Sequence, residues 1–153
     1  MPSGKTLIRD AVPLDIPAVL ALCRDGATEP DRYPPLDAGD PVYVQLFTAI
    51  SNDPNHRLII VEQAGEIIGT LQLSYMPGLP ERGWRGQIEN VHVRSDMRGR
   101  GIGRLMMGWA ISRCRERGCW VVQLTSNKMR AEAHRFYRSL DFKATHEGFK
   151  LRL

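Results

Sequence analysis

The sequence predicts an α/β domain in which helices pack against one sheet, and three observations carry that expectation. Patterns of period two and period 3.6 alternate along the chain in the order strand, helix, helix, three strands, helix, strand, helix and one or two closing strands. The 153 residues are enough to bury one core without a metal or disulfide, so one domain over residues 1–153 is expected. Near the middle, a strand pattern, a glycine-rich turn and a helix start follow one another directly.

Thr6 to Arg9 is the first strand candidate. Asp15 then precedes Ile16, Val19, Leu20 and Leu22, the pattern of a capped amphipathic helix, with Pro17 tolerated in its first turn. Gly26, Pro30, Pro34, Pro35, Gly39 and Pro41 make residues 26–41 a loop long enough to suggest function, and Val42 to Ile50 is a second helix candidate. Leu58–Glu62 and Glu66–Leu73 read as strands joined through a small-residue turn at Ala64-Gly65. Met76 to Gly86, with two prolines and three glycines, reads as a loop leading into a strand over Ile88–Val93. After Arg98-Gly99-Arg100-Gly101-Ile102-Gly103-Arg104, helical spacing of Leu105, Met106, Trp109 and Ala110 predicts a helix that ends at Gly118. Trp120 to Thr125 suits a buried strand; Ala133, Phe136, Tyr137 and Leu140 share a helix face, and Phe142 to Leu151 reads as closing strands.

Composition narrows the function. The chain is 42% hydrophobic and 25% charged, and no apolar run approaches the roughly 20 residues of a membrane helix. The N-terminus lacks a signal-peptide core and three cysteines cannot all pair within one chain, which together favour a reducing cytoplasm. The spacing of Cys114 and Cys119 fits neither a redox pair nor zinc, and the four histidines show no metal-ligand spacing, so no metal is expected.

A net charge of +4 suits an anionic partner. Arg94, Arg98, Arg100, Arg104, Arg113, Arg115 and Arg117 crowd one region, while Glu29, Asp31, Asp37 and Asp40 crowd an earlier loop. The arginines sit among glycines rather than exposed stacking aromatics, which disfavours nucleic acid. Glycine lets backbone N–H groups approach a ligand and adopt positive φ, so the run from Arg98 to Arg104 at a helix start predicts an anion cradle. It is not a nucleotide loop of the common kinds. Gly4-Lys5-Thr6 has no room for the glycine that a phosphate loop needs, and a dinucleotide fingerprint from Gly99 would need glycine where Arg104 stands.

Arg98-Gly99-Arg100-Gly101-Ile102-Gly103 resembles the R/Q-x-x-G-x-G/A signature of the GNAT superfamily of N-acetyltransferases. A second block, Asn127, Ala133-His134-Arg135-Phe136-Tyr137 and Leu140-Asp141-Phe142, resembles that family's N…A-x-x-F-Y…G-F region, with Asp141 where glycine is usual. Aspartate tolerates the left-handed conformation better than most residues, so the turn should survive. The resemblance implies a mixed, mostly antiparallel twisted sheet flanked by about four helices. It implies acetyl-CoA as donor, its pyrophosphate on Arg98, Gly99, Arg100, Gly101, Ile102, Gly103 and Arg104. It also implies a pantetheine arm along Val91, His92 and Val93, paired with the backbone of Val91 and Val93, with Asn127 and Phe136 beside the cofactor. As a strand-end asparagine, Asn127 equally suits a plain turn.

The implied reaction is attack of a neutral amine on the thioester, with acetyl passing directly to the acceptor. Tyr137 resembles the family's general acid toward the departing sulfur, against the alternative of a core aromatic. Full proton transfer from a tyrosine near 10 to a thiolate near 8.5 is uphill by about 2 kcal/mol, so hydrogen-bond donation is the easier role. A strand N–H near Val91 is the family-like donor to the carbonyl oxygen. Glu89 is the candidate base, two residues before Val91 and so on its face in a regular strand; His92 would face away unless a bulge changed the phase. The acidic loop, with Glu29 and Tyr33, is expected at the acceptor, a small-molecule amine, and residues 123–153 also resemble small-molecule members such as aminoalkylphosphonate acetyltransferases. The alternatives are a non-catalytic acyl-CoA-binding regulatory module and an enzyme acting on a protein or peptide amine; a homodimer is compatible with any of them.

Overall fold

The computed structural model describes residues 4–29 and 37–153. Its strands are β1 (Thr6–Asp10), β2 (His56–Gln63), β3 (Glu66–Gly78), β4 (Gly83–Val93) and β5 (Cys119–Leu124), and its α-helices are α1 (Ile16–Asp25), α2 (Pro41–Asn52), α3 (Ile102–Arg117) and α4 (Ala131–Ser139). They form one five-stranded sheet in the order β1-β2-β3-β4-β5. The first four strands pair antiparallel and β5 joins β4 in parallel. The mixed, mostly antiparallel sheet with four helices is therefore as expected.

One face of the sheet carries the main core. Leu71, Leu73 and Ile88 meet Met106, Met107, Ala110 and Cys114 of α3, all with at most 1% exposure. Burial pushes the Cys114 thiol up to about 12, which keeps it protonated packing material.

Three local expectations change. Asp15 does not cap α1. A short 3-10 turn, Pro13–Asp15, precedes that helix, and the Asp15 carboxylate accepts from Val12 N at 2.8 Å and from Arg9 Nη1 at 2.7 Å. Arg9 also reaches Glu62, so the buried carboxylate ties the first helix to β1 and β2, and the Arg9 guanidinium holds its pKa below the usual range.

The stretch 76–86 is mostly strand. β3 runs to Gly78 and β4 begins at Gly83, with Pro77 opposite Trp84. Proline is tolerated there because β2 pairs with β3 only as far as Ser74, leaving one side of Pro77 without a neighbouring strand. Residues 143–153 form no strand, contrary to the pattern read over Phe142–Leu151. Phe142 itself is fixed, its N–H donating to Tyr137 O after a turn in which Asp141 takes φ 68°. The aspartate thus fills the glycine-type position as anticipated.

Candidate active site

The cradle begins where β4 ends. A 3-10 turn at Ser95–Met97 delivers the chain to Gly99 (φ 73°) and Gly101 (φ 81°), and the latter immediately precedes α3. Both angles lie in the region that only glycine enters freely. Leu105 N bonds to Gly101 O, but among the described residues no backbone carbonyl accepts from the N–H groups of Gly99 through Arg104. Six successive donors at a helix N-terminus, with no acidic residue in its first turn, are an arrangement that suits an anion.

Only part of the arginine cluster belongs there. α3 spans Ile102–Arg117, so Arg113, Arg115 and Arg117 lie about 20 Å from the cradle along the helix. Arg117 stacks on Trp84 at 4.5 Å and Tyr75 at 4.7 Å, Arg113 pairs with Glu116, and Arg94 pairs with Glu66 and Asp96. Arg98 turns back, its Nε donating to Val93 O at 3.1 Å and its guanidinium 3.6 Å from Asp25, while Arg104 donates to Ser139 Oγ on α4 at 3.2 Å. Arg98, Arg100 and Arg104 remain as the local positive charges.

Beside the cradle, β4 has an open edge. Its pairing with β5 ends at Ile88 opposite Leu124, so Glu89 to Val93 have none of the described strands on that side. Arg94 N donates to Ile68 O on the β3 side. Alternation then turns the backbone groups of Val91 and Val93 outward, toward the gap. The Arg98 bond to Val93 O confirms that orientation and occupies that carbonyl.

The strand is not regular. Gln72 pairs with Glu89 but Thr70 pairs with His92, so β4 carries one extra residue, and Asn90 takes φ 53°. This bulge reverses the phase expected for His92. Gln72 and Thr70 share one face of β3, so Glu89 and His92 share the corresponding face of β4, while Val91 and Val93 pack toward the α3 core. Glu89 and Val91 are therefore not on the same face. Asparagine in a strand sequence was the available signal, since it is among the residues that enter the left-handed region.

His92 is sandwiched against the end of α1, where a Cβ on Gly26 would fall 2.1 Å from its Nδ1. Burial, then the charges of Arg130 and Arg98, lower its pKa to about 4 against the opposing pull of Asp25, so the ring is neutral at pH 7. Gly26, on which the position of His92 depends, was read from the sequence only as a loop residue.

α4 brings the second block onto the first. The Phe136 ring lies against Gly103 in the first turn of α3, where a Cβ would stand 3.3 Å from Phe136 Cζ. Tyr137 follows, its ring 5.4 Å from Phe136 and 6.1 Å from Phe142, centroid to centroid. Burial raises the Tyr137 pKa, partly opposed by Arg130, so its hydroxyl is a protonated donor through neutral pH. Among the described residues nothing hydrogen-bonds that hydroxyl.

The remaining expected residues fall as follows. Asn127 behaves as a turn residue, its Oδ1 accepting from Met129 N at 2.9 Å and its Nδ2 3.3 Å from Thr28 Oγ1. Glu29 is exposed and 3.6 Å from Arg152. Asp37 and Asp40 accept from Gly39 N and Val42 N, the second as the cap of α2. Tyr33 and Asp31 lie outside the described residues.

The acetyltransferase (GNAT) family model matches residues 23–142, a span that contains the cradle, the open edge and α4. The chain belongs to the GNAT family of acetyltransferases. It is 33% identical over 103 residues to the aminoalkylphosphonate N-acetyltransferase of Salmonella typhimurium, covering 67% of each chain. It is 31% identical over 139 residues to an L-methionine sulfoximine/L-methionine sulfone acetyltransferase of Pseudomonas paraeruginosa, covering 88% of this chain and 78% of that one. In structure it resembles a Bacillus halodurans C-125 protein described as a transcriptional regulator, with a TM-score of 0.91, 38% identity and coverage of 97% and 100%. This GNAT acetyltransferase has no helix, among the described residues, long and apolar enough to cross a membrane.

Proposed function

We propose that this enzyme transfers acetyl from acetyl-CoA directly to a primary amine of a small molecule. One observation carries the reading: among the described residues, a run of six backbone N–H groups with no carbonyl partner adjoins a strand edge whose outward backbone groups have no partner strand. The first suits a diphosphate and the second an extended amide-containing arm, so the residues fit the donor. Gly99 through Arg104 would hold the diphosphate, with Arg98 supporting the adjoining strand end. Val91 and the N–H of Val93 would align the arm, and Asn127 and Phe136 would flank it.

When bound, acetyl-CoA supplies an activated thioester. The chain's own part is to free the amine, steady the carbonyl oxygen and receive the sulfur. The N–H of Val91 donates to the developing oxyanion. The amine loses a proton to Glu89, directly or through water, with neutral His92 on the same face of the strand because of the bulge. A C–N bond forms as the C–S bond breaks, and Tyr137 O–H donates a hydrogen bond to the departing thiolate, which finally takes a proton. Glu29 and the loop with Tyr33 are the proposed acceptor side, where negative charge would attract a cationic amine.

The names of the curated relatives point to aminoalkylphosphonates and to methionine sulfoximine as first acceptors. The test is a panel of these amines, simple alkylamines and lysine-containing peptides with acetyl-CoA, followed by thiol release and product mass. Acetylation of a small amine with little on peptides is expected; turnover of peptides alone would overturn the reading.

A further inference from the structure

α3 occupies one face of the sheet, and alternation along β4 turns a different set of side chains to the other. Trp84 and Ile88 pack toward the α3 core, so Arg85, Gln87 and Glu89 share the second face. Register lays three rows across that face. Glu89 stands opposite Gln72, Gln87 lies between Ser74 on β3 and Gln123 on β5, and Arg85 lies between Met76 and Val121.

The middle row is satisfied from within. Gln123 Nε2 donates to Gln87 Oε1 at 2.8 Å, and Ser74 Oγ lies 2.9 Å from Nδ1 of His56 on β2. Arg85 is different. It is half-buried between two apolar neighbours, its Nε is closed to solvent without a hydrogen-bond partner, and among the described residues it has no ion pair or ring contact. Withdrawing a guanidinium N–H from water without an acceptor costs the folded chain and returns nothing to it until an anion arrives.

The Cα atoms of Arg85 and Glu89 are four residues apart on one strand, about 13 Å at 3.3 Å per residue. That span, less the reach of the two side chains, is the length of a small molecule with a charge at each end. Resting on the assignment of the Glu89 face to the acceptor, we propose that the acceptor carries an oxyanion (carboxylate, phosphonate or sulfonate) besides its amine, and that Arg85 selects for it. The amine lies at Glu89 and the oxyanion at Arg85, whose planar fork donates two parallel bonds to such a group. Charge also fixes the direction of binding, since a reversed molecule would set its cation against the guanidinium.

The test compares amines of matched length that end in a carboxylate, phosphonate or sulfonate with counterparts that end in a neutral amide, by steady-state thiol release. Wild type should favour the anionic member of each pair by about 10- to 150-fold in kcat/KM, the worth of hydrogen bonds to a charged group. Arg85→Gln should bring that ratio near one, with most of the loss in KM, and Arg85→Lys should recover part of it. A merely structural arginine would instead lower Tm on replacement, whereas an unpartnered one should leave Arg85→Gln melting no lower than wild type.

A second measurement needs no turnover. With coenzyme A filling the cradle, aminopropylphosphonate titrated into isotope-labelled wild type should shift the Arg85 Nε–H resonance to saturation, and propylamine should not. Equal use of anionic and neutral acceptors by wild type, a preference that survives Arg85→Gln, a markedly lower Tm in that variant, or an unmoved Arg85 resonance would overturn the proposal. Failure of the transferase reading looks different, because no amine of either kind is then acetylated; the titration alone decides for or against the anion site. Should the variant fail to fold, the wild-type ratio and the titration decide.

Discussion

Replacing Tyr137 by Phe removes one oxygen and leaves the aromatic contacts with Phe136 and Phe142 in place, at centroid distances of 5.4 and 6.1 Å. The hydroxyl has no hydrogen-bond partner among the described residues, so its loss should cost the fold less than about 0.5 kcal/mol and shift Tm by under about 2 °C. On the proposed mechanism its value lies in the reaction. Burial raises its pKa, which keeps the proton in place from pH 7 to 9 and makes it a donor to a thiolate. A hydrogen bond to a charged partner is worth about 1.5–3 kcal/mol, which converts to a fall in kcat of about 10- to 150-fold. Acetyl-CoA affinity should hardly move, since the cradle is built from backbone before and within the first turn of α3. Steady-state thiol release with the best acceptor of the amine panel, together with calorimetric binding of acetyl-CoA, measures both. A kcat within about threefold of wild type would refute the assignment and make Tyr137 a packing residue.

Gly101→Ala places a Cβ at φ 81°, a cost of about 1–2 kcal/mol that the loop can relieve only by turning its N–H groups away from the ligand. Acetyl-CoA Kd should rise about tenfold in calorimetry while far-UV circular dichroism is kept; an unchanged Kd would remove the cradle from the binding site. His92 should make stability fall in acid. Its folded pKa of about 4 lies below the ordinary 6.5, so above pH 6.5 both states are neutral there and the ring adds no pH dependence. As pH drops from 6.5 toward 4, the unfolded chain takes a proton that the folded one refuses, and about 1–2 kcal/mol is lost after allowing for partial exposure of the ring. Denaturant melts at pH 7 and pH 4.5 should show this loss in wild type and not in His92→Gln; equal slopes would mean that the ring protonates freely.

The order of strands and helices was legible because each depends on local periodicity, and the cradle because its glycines are required by backbone angles that no other residue enters freely. α4 was legible for the same reason, Ala133, Phe136, Tyr137 and Leu140 marking one face. What escaped depends on neighbours distant in sequence. Pro77 looked like a loop residue, and only the end of β2 pairing at Ser74 makes it acceptable in a strand. The arginine run looked like one charged patch, but the length of α3 separates Arg98, Arg100 and Arg104 from Arg113 and Arg117, whose partners lie on Trp84, Tyr75 and Glu116. The closing strand expected over Phe142–Leu151 does not form: its alternation is a local pattern, but a strand also needs a partner, and none of the described strands pairs with that segment.

The extra residue in β4 joins two features that otherwise seem separate. A bulge bends its strand and increases the local twist. β4 loses β5 at Ile88, immediately before the irregularity that contains Asn90 at φ 53°, so the bend and the gap between the strands fall at the same place. Beyond it, Val91 and Val93 turn backbone groups into the gap, and His92 turns to the face of Glu89. In a regular strand of the same sequence Glu89 and His92 would stand on opposite faces, and only one of them would face α1. One asparagine in the left-handed region therefore accounts both for the bend beside the open edge of β4 and for the shared face of Glu89 and His92. Gly26 completes the arrangement from the end of α1 on the same side of the sheet, since any side chain there would displace the imidazole that the bulge has brought round.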